Sequence, residues 1–285
     1  GQDGFPRFRQ FGLAEGLSTS SVTAICQDNE GKIWVGTHDG LNCLYGTFFK
    51  TWYQDRANPL ALNQSAISDL LCDRNGILWI ATYGGGLNCL NPITQTFMPV
   101  PLPLKKKNWS QANCLAEDKQ GRIWIGFYEG LLIYNPADES VQTFDRIPGT
   151  NRAFPILDIA FDEPGNAFLA TPFEGMFALT TQQIMMSVPF EQFQKEPNGI
   201  GFFHRIYSRK EGVLACSQSG PLTFRIQNNS LVWEKANDLP DKEILAWLKD
   251  SQSRIWLPGA NSELTLLDKN SNPIPVGLPY KGRYP

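Results

Sequence analysis

Short runs of alternating hydrophobic and polar residues follow one another along the chain, separated by Asp and Gly. The run Val22–Gln27 alternates and leads into Asp28–Gly31, where Asp favours a turn and Gly can adopt a positive φ. A second apolar run then passes through Trp34. The pattern predicts a β-hairpin, and nowhere does a helical period persist over the length that a stable helix needs.

The hairpin pattern recurs along the chain at a nearly constant interval. The segment 28–37 returns as 73–82 and 118–127, 45 residues apart each time, and weaker copies lie at 162–171 and 250–257. The interval between Phe168 and Trp256 is about two repeat lengths, which predicts a degraded copy between them at 211–217. Six units follow from this spacing, and in five of them one position holds a large ring: Trp34, Trp79, Trp124, Phe168 and Trp256.

Each unit has room for two further strands, such as Gly40–Tyr45 and Thr47–Trp52 in the first. Four short strands in about 45 residues are typical of one β-propeller blade. A β-sandwich is the alternative, but it gives no reason for a constant Trp spacing. We therefore predict an all-β propeller of four-stranded antiparallel blades, with the ring residues packed between blades.

The predicted organisation is a single propeller domain over residues 1–285. Its six units are expected near 12–53, 54–99, 100–145, 146–190, 191–233 and 234–285. Residues 5–11 resemble a fourth strand and are expected to close the ring against the C-terminal unit, which removes a free sheet edge. A truncated seven-bladed ring is the alternative, since the segment 270–285 is rich in Pro and lacks a hairpin.

Six cysteines raise the question of disulfides: Cys26, Cys43, Cys72, Cys89, Cys114 and Cys216. Cys26 and Cys43 fall on the first and third strands of one unit, which lie about 9–10 Å apart with one strand between them. A disulfide needs Cα atoms within about 7 Å. Most of the cysteines are therefore expected to be buried thiols.

Charge and composition exclude several classes of function. The 285 residues carry a net charge of -3, so no basic excess exists for binding nucleic acid. No apolar run reaches the length of a membrane span, and the start of the chain lacks a signal-peptide pattern, although a leader could precede Gly1. With two His in the chain, neither a three-His metal site nor many catalytic triads can form, so no catalytic residue, metal or cofactor is expected.

Taken together, these motifs resemble the two-component regulator propeller repeat. The similarity is carried by 15–42, which runs from Glu15-Gly16-Leu17 to Gly40-Leu41-Asn42, and by 58–88, which ends in Gly86-Leu87-Asn88. It is strong in units one to three and weaker in the later units. The resemblance implies the periplasmic sensor portion of a Bacteroidetes hybrid two-component histidine kinase, often one that controls polysaccharide-utilisation genes. It also implies a neighbouring propeller, a receptor dimer, and a membrane connection only through downstream segments.

Propeller ligands commonly bind where the loops between second and third strands emerge. Here those loops carry aromatic rings that can stack on sugars, and carboxylates or amides that can accept hydroxyl hydrogen bonds. The candidate ligand-binding residues in them are His38, Asp39, Tyr83, Tyr128, Glu129, Phe173, Glu174 and Asn261. Two residues from the loops between units, Trp109 and His204, complete the set. The alternative is that these side chains only fill the channel mouth or cap the core.

The sequence therefore predicts a non-catalytic sensor domain that binds an oligosaccharide or another small ligand. A secreted propeller lyase or hydrolase acting on polysaccharide is one alternative, because Asp39 and Glu129 could serve as acid and base at an unknown separation. A protein-docking scaffold without a small ligand is the other.

Overall fold

The computed structural model describes residues 8–58, 60–98, 100, 102, 109, 111–147, 154–189, 192, 203–210, 212–259 and 263–276. Within them the chain forms six four-stranded antiparallel sheets, each with its strands in sequence order. The fold is an all-β six-bladed propeller. Two compact units divide it: Phe11–Ile159 forms one, and the chain from Ala160 onwards, with residues 8–10, forms the other.

The first unit contains three complete blades, preceded by a short 3-10 helix at Leu13–Glu15. Blade 1 consists of β1 (Val22–Gln27), β2 (Ile33–Thr37), β3 (Gly40–Tyr45) and β4 (Phe48–Trp52). Blade 2 consists of β5 (Ile67–Cys72), β6 (Leu78–Thr82), β7 (Gly86–Asn91) and β8 (Thr96–Met98). Blade 3 consists of β9 (Ala112–Glu117), β10 (Ile123–Phe127), β11 (Gly130–Asn135) and β12 (Ser140–Phe144).

The second unit holds the other three blades, and the boundary between units falls within β13. Blade 4 consists of β13 (Asp158–Phe161), β14 (Ala167–Ala170), β15 (Met176–Leu179) and β16 (Met185–Val188). Blade 5 consists of β17 (Phe203–Arg209), β18 (Gly212–Ser217), β19 (Gly220–Gln227) and β20 (Ser230–Lys235). Blade 6 consists of β21 (Leu248–Lys249), β22 (Ile255–Pro258), β23 (Leu264–Leu267) and β24 (Pro273–Ile274).

The Asp-x-x-Gly turn forms as the sequence predicts. In blade 1 one carboxylate oxygen of Asp28 accepts hydrogen bonds from the backbone N–H groups of Glu30 and Lys32, and Gly31 has φ of 83°. The left-handed conformation explains the Gly, because a side chain there would be strained. The same carboxylate geometry recurs at Asp73 in blade 2.

The ring residues of the repeat lie in the core as predicted, with one exception. Trp34, Trp79, Trp124 and Phe168 are between 0% and 4% exposed. Trp34 belongs to a cluster with Ile67 and Leu78 of blade 2, so its ring fills the space between two blades. Trp256 in blade 6 is only half-buried, and the ring of Phe8 packs edge-on against it at 6.2 Å between centroids.

Consecutive blades of the first unit are also joined by side chains at β-bulges, a feature that the sequence analysis did not find. The Thr23 hydroxyl donates to the Ile67 carbonyl at 2.8 Å. The Ser68 hydroxyl donates to the Ala112 carbonyl at 2.5 Å, and the Asn113 amide donates to the Ile156 carbonyl at 3.0 Å. Since Thr23, Ser68 and Asn113 occupy equivalent repeat positions, the same kind of link recurs three times within the first unit.

All six cysteines are free thiols. Cys43, Cys89, Cys114 and Cys216 are buried, which confirms the expected placement for these four, while Cys26 and Cys72 are half-buried. Trp34 on β2 pairs with Cys26 on one side and Cys43 on the other, so one strand separates these two thiols.

The expected degraded copy in the fifth unit is a strand, β18, whose first residue is Gly212; Glu211 lies outside the described residues. The closing strand at 5–11 stays a prediction. Residues 5–7 lie outside the described part of the chain, and residues 8–11 are not in a strand. The bounds of the predicted units also stay predictions, although β20 continues to Lys235, two residues beyond the expected unit end at 233.

Candidate functional site

An exposed aromatic side chain occupies the same repeat position in three successive blades. This position is the first residue of the loop between second and third strands, and it is held by His38, Tyr83 and Tyr128, at intervals of 45 residues. In blade 4 an exposed ring, Phe173, lies in the corresponding loop, one residue after the equivalent position. Tyr83 is 41% exposed, Tyr128 is 54% exposed and Phe173 is 62% exposed. Single exposed rings are common on protein surfaces, but a group of rings on equivalent loops of neighbouring blades forms an apolar patch, so we treat these loops as a candidate binding surface. We call His38, Tyr83 and Tyr128, all in the first unit, the aromatic rim.

Buried hydroxyl groups hold these loops in place. The Thr37 hydroxyl donates to the Gly40 carbonyl at 3.1 Å, and Thr82 donates to the Gly86 carbonyl at 3.0 Å. Thr171 and Ser217 make the same contact in blades 4 and 5, at 2.8 and 2.5 Å. Because both loop ends are tied together in blades 1 and 2, the His38 and Tyr83 rings are presented on a fixed backbone.

Backbone hydrogen bonds also tie each loop of the rim to the residue just before the first strand of its own blade. The N–H of His38 donates to the Ser21 carbonyl at 3.3 Å, and that of Tyr83 donates to the Ala66 carbonyl at 2.8 Å. The N–H of Tyr128 donates to the Gln111 carbonyl at 3.2 Å.

The rim is continuous between neighbouring blades. The rings of His38 and Tyr83 lie 5.9 Å apart between centroids, with 32° between their planes. Tyr83 in turn forms an antiparallel bridge with Gln111, the residue whose carbonyl binds the Tyr128 N–H. Gln111, whose side chain is exposed, therefore joins the two tyrosine positions through its backbone and adds a hydrogen-bonding group to this stretch of the surface.

One carboxylate oxygen next to the rim in sequence makes no hydrogen bond within the described part of the chain. This atom is Oε2 of Glu129, which follows Tyr128, and it is buried. Since an unpaired buried acceptor costs free energy, a hydroxyl that reaches this oxygen would recover that cost. Asp39 next to His38 is exposed, and its backbone N–H donates to the Thr37 hydroxyl at 3.1 Å.

The remaining candidates from the loops lie in the second unit. Phe173 is exposed, and the neighbouring Glu174 is half-buried with its N–H donating to the Thr171 hydroxyl at 3.0 Å. His204 lies at the bulge between Phe203 and Arg205, and its Nε2 is 3.1 Å from Oε1 of Glu243. Asn261 lies outside the described residues.

Trp109 is buried rather than presented to solvent. It is 6% exposed, and its ring packs against Phe127 with centroids 5.2 Å apart, within the cluster that holds Trp79. This placement favours the alternative that Trp109 caps the core between blades 2 and 3. Its predicted contact with a ligand is not tested by this geometry.

The described residues offer no group of three or more His, Cys, Asp or Glu side chains arranged to hold a metal ion. In the same part of the chain, no helix has the length and apolar character needed to cross a membrane.

The repeat matches a known protein family. The family model described as "Two component regulator propeller" matches residues 16–39, 61–84 and 107–129, which are the linker, first hairpin and rim loop of blades 1 to 3. The chain carries two-component regulator propeller repeats. Each match ends at or next to a residue of the rim loop, so the rim belongs to the repeat itself.

A histidine kinase and a hybrid two component system are among the proteins that this chain resembles. Histidine kinase P4 of Formosa agariphila is 50% identical over 52 residues, which are 18% of this chain and 4% of that protein. The extracellular domain of BT3049 from B. thetaiotaomicron, named as a hybrid two component system, has a TM-score of 0.74 at 19% identity. That likeness covers 93% of this chain and 36% of the solved one, so the chain spans about a third of its length.

An enzyme also shares the fold. Virginiamycin B lyase from Staphylococcus aureus has a TM-score of 0.62 at 14% identity, over 92% of this chain and 86% of the lyase. At such identity the likeness concerns the fold alone, since one fold hosts many functions.

Proposed function

We propose that this chain is the ligand-binding propeller in the periplasmic sensor portion of a hybrid two-component histidine kinase. Its ligand is a glycan-derived oligosaccharide, its own part of the receptor is non-catalytic, and the response is expression of polysaccharide-utilisation genes. The repeat family and the likeness to an extracellular domain of a hybrid two component system support the sensor role. The observation that carries the ligand class is the aromatic rim, with its exposed rings at one repeat position.

The rim suits a sugar for a physical reason. A pyranose has an apolar face that packs on an aromatic ring and an edge of hydroxyl groups that need partners. Tyr83 and Tyr128 offer the rings, and the Gln111 amide and the unpaired Oε2 of Glu129 offer hydrogen bonds. The fixed loops reduce the entropy lost on binding.

Binding would act on the arrangement of receptor protomers. A ligand shifts the balance between two receptor states only by the difference in its affinity for them. The neighbouring propeller and a second protomer are the partners through which we propose that this difference reaches the kinase.

The test is calorimetric titration of the chain with a panel of neutral oligosaccharides. A sugar that binds wild type is expected to bind about twofold to twelvefold more weakly to Tyr83→Ala and Tyr128→Ala, since one aromatic contact contributes about 0.5–1.5 kcal/mol. Phe48→Ala is the matched control, because Phe48 is 60% exposed in the same unit and lies at the opposite end of β3 from the rim loop. Equal loss in the control would remove the rim from the proposal.

Mass spectrometry of the same mixtures separates the sensor from an enzyme. The sensor leaves every oligosaccharide intact, whereas shortened or unsaturated products would favour a lyase or hydrolase. If no sugar binds and a partner protein binds instead, the chain is a scaffold.

A further inference from the structure

Blade 5 departs from the other blades at the positions that fill the space between blades. In blade 1, Trp34 pairs with Cys26 on β1 and with Cys43 on β3. In blade 5 the residue with the equivalent pairs is Leu214, which pairs with Tyr207 and Thr223. The aromatic ring of the other five blades is thus replaced by a smaller side chain.

The acidic residue that accompanies the Trp in blade 1 is also replaced in blade 5, by a basic one. Asp28 lies two residues after Cys26, and the residue two positions after Tyr207 is Arg209. Arg209 cannot accept the hydrogen bond that an indole N–H would donate, because a guanidinium has only donors. Instead its two terminal nitrogens donate to the two carboxylate oxygens of Asp238, in the loop that follows β20.

A cleft of about 440 Å³ lies at this place. Arg209 and Thr223, the equivalents of Asp28 and Cys43, form part of its wall, so it lies beside the position of the lost indole. The rest of the lining is Lys210, Glu234, Lys235, Ala236, Asn237 and Asp238. The volume is within the range that small ligands occupy, about 300–1,000 Å³.

The charges of the lining favour an anion. Asp238 is paired with Arg209, Glu234 is paired with Arg225, and Lys235 is paired with Asp241 at 2.8 Å. Lys210 has no acidic partner among the described residues, so one positive charge of the cleft is unmatched there. In the same part of the chain, the Thr223 hydroxyl and the Asn237 amide make no side-chain hydrogen bond, which leaves them for a ligand with hydroxyl groups.

We propose that this cleft binds a carboxylated sugar, a uronic acid residue or a short oligosaccharide that contains one. The Lys210 ammonium meets the carboxylate together with the outer edge of the Arg209 guanidinium, which the Asp238 carboxylate holds in place. Thr223 and Asn237 bind the ring hydroxyls. This site lies in the second unit and does not depend on the aromatic rim.

The experiment is titration of the chain with sodium D-glucuronate at low ionic strength, followed by saturation-transfer NMR and calorimetry. Glucuronate is expected to bind, glucose to bind at least tenfold more weakly, and the affinity to fall as salt rises. Lys210→Glu is expected to weaken glucuronate binding about tenfold or more, and Asn237→Ala several-fold. Both residues are exposed, so neither change should alter folding, which a thermal melt checks.

Lys269→Glu is the matched control, since it makes the same charge change at an exposed lysine in the turn between β23 and β24. It should leave the affinity for glucuronate unchanged. Absence of glucuronate binding, equal binding of glucose, or equal loss in Lys269→Glu and Lys210→Glu would each overturn the proposal. Binding of glucose 6-sulfate but not of glucuronate would also overturn it, because the cleft would then select a sulfate ester. Tyr83→Ala should leave glucuronate binding intact, which separates this site from the rim.

Discussion

The indole N–H of Trp34 donates a hydrogen bond to the buried carboxylate of Asp28, 2.8 Å away. The pair recurs in three further blades, at Trp79 and Asp73, Trp124 and Asp118, and Trp256 and Asp250. Blade 4 has Phe168 in the ring position, and there the Asn166 amide donates to Asp162 at 2.8 Å instead. The turn residue and the core ring of the repeat are therefore one hydrogen-bonded unit.

Removing the carboxylate of Asp73 should destabilise blade 2. Asp73 is 4% exposed and accepts hydrogen bonds from the N–H groups of Asn75 and Ile77 and from the indole of Trp79. Asp73→Ala leaves a buried indole N–H unpaired, and we expect a loss of about 2–4 kcal/mol in the free energy of unfolding. Urea denaturation measures it. The control Asp55→Ala, at an exposed residue with one local hydrogen bond, should cost under about 1 kcal/mol.

Substitution of the buried Trp109 should lower the stability of the fold, whereas substitution of the exposed Tyr128 should not. Burial of Trp109 against Phe127 leads us to expect a cost of about 3–5 kcal/mol for Trp109→Ala. Tyr128→Ala removes an exposed ring and should change the unfolding free energy by less than about 0.5 kcal/mol. Thermal and urea melts of the two variants decide the matter, and an unchanged melt for Trp109→Ala would contradict its place in the core.

Stability should fall in acid in part through Asp250. Hydrogen bonds from Trp256 and Arg254 lower the pKa of this carboxyl from its ordinary 3.8 to about 2. A pKa that is lower in the folded state means that the carboxylate stabilises the fold above about pH 4, and that this contribution is lost as the pH falls towards 2. Asp250→Asn should therefore flatten the dependence of the melting temperature on pH between 4 and 2. A slope equal to that of wild type would contradict the prediction, with Asp55→Asn as the control for removal of one carboxylate.

The thiols should be unreactive in the folded protein. Burial raises the pKa of Cys26 to about 12, and that of Cys43 and of Cys89 to about 11. At pH 8 these groups are thiols rather than thiolates, so they should react with a disulfide reagent far more slowly than a free cysteine. After denaturation without reductant, all six cysteines should titrate. A count below six would show that a disulfide forms.

The sequence is sufficient to predict the blades, because strand alternation, the turn Gly and the ring spacing are local and repeated. It identifies the rim loops for the same reason, although the analysis of spacing did not single out the shared position of His38, Tyr83 and Tyr128. That position could have been found by aligning the units on their Trp. Contacts that depend on register could not be predicted so directly. The hydroxyl braces at Thr37 and Thr82 and the links from Thr23 and Ser68 join residues whose proximity only the paired strands establish.

Blade 5 is a second case in which strand register is needed. Sequence spacing alone predicts a degraded repeat there, but it does not show which residues replace the Trp and the Asp of the other repeats. The strand register identifies Leu214 and Arg209 with the positions of Trp34 and Asp28, and it shows that Arg209, in the wall of the cleft, stands where blade 1 has the carboxylate that binds the indole.

The measurement that tests the central claim most directly is hydroxyl-radical footprinting of the chain with and without an oligosaccharide that binds it. The account predicts that Tyr83 and Tyr128 lose reactivity on binding while Phe48, which is exposed at the other end of β3, keeps it. Unchanged reactivity of both rim tyrosines at a saturating sugar concentration would contradict the claim that the rim is the binding surface.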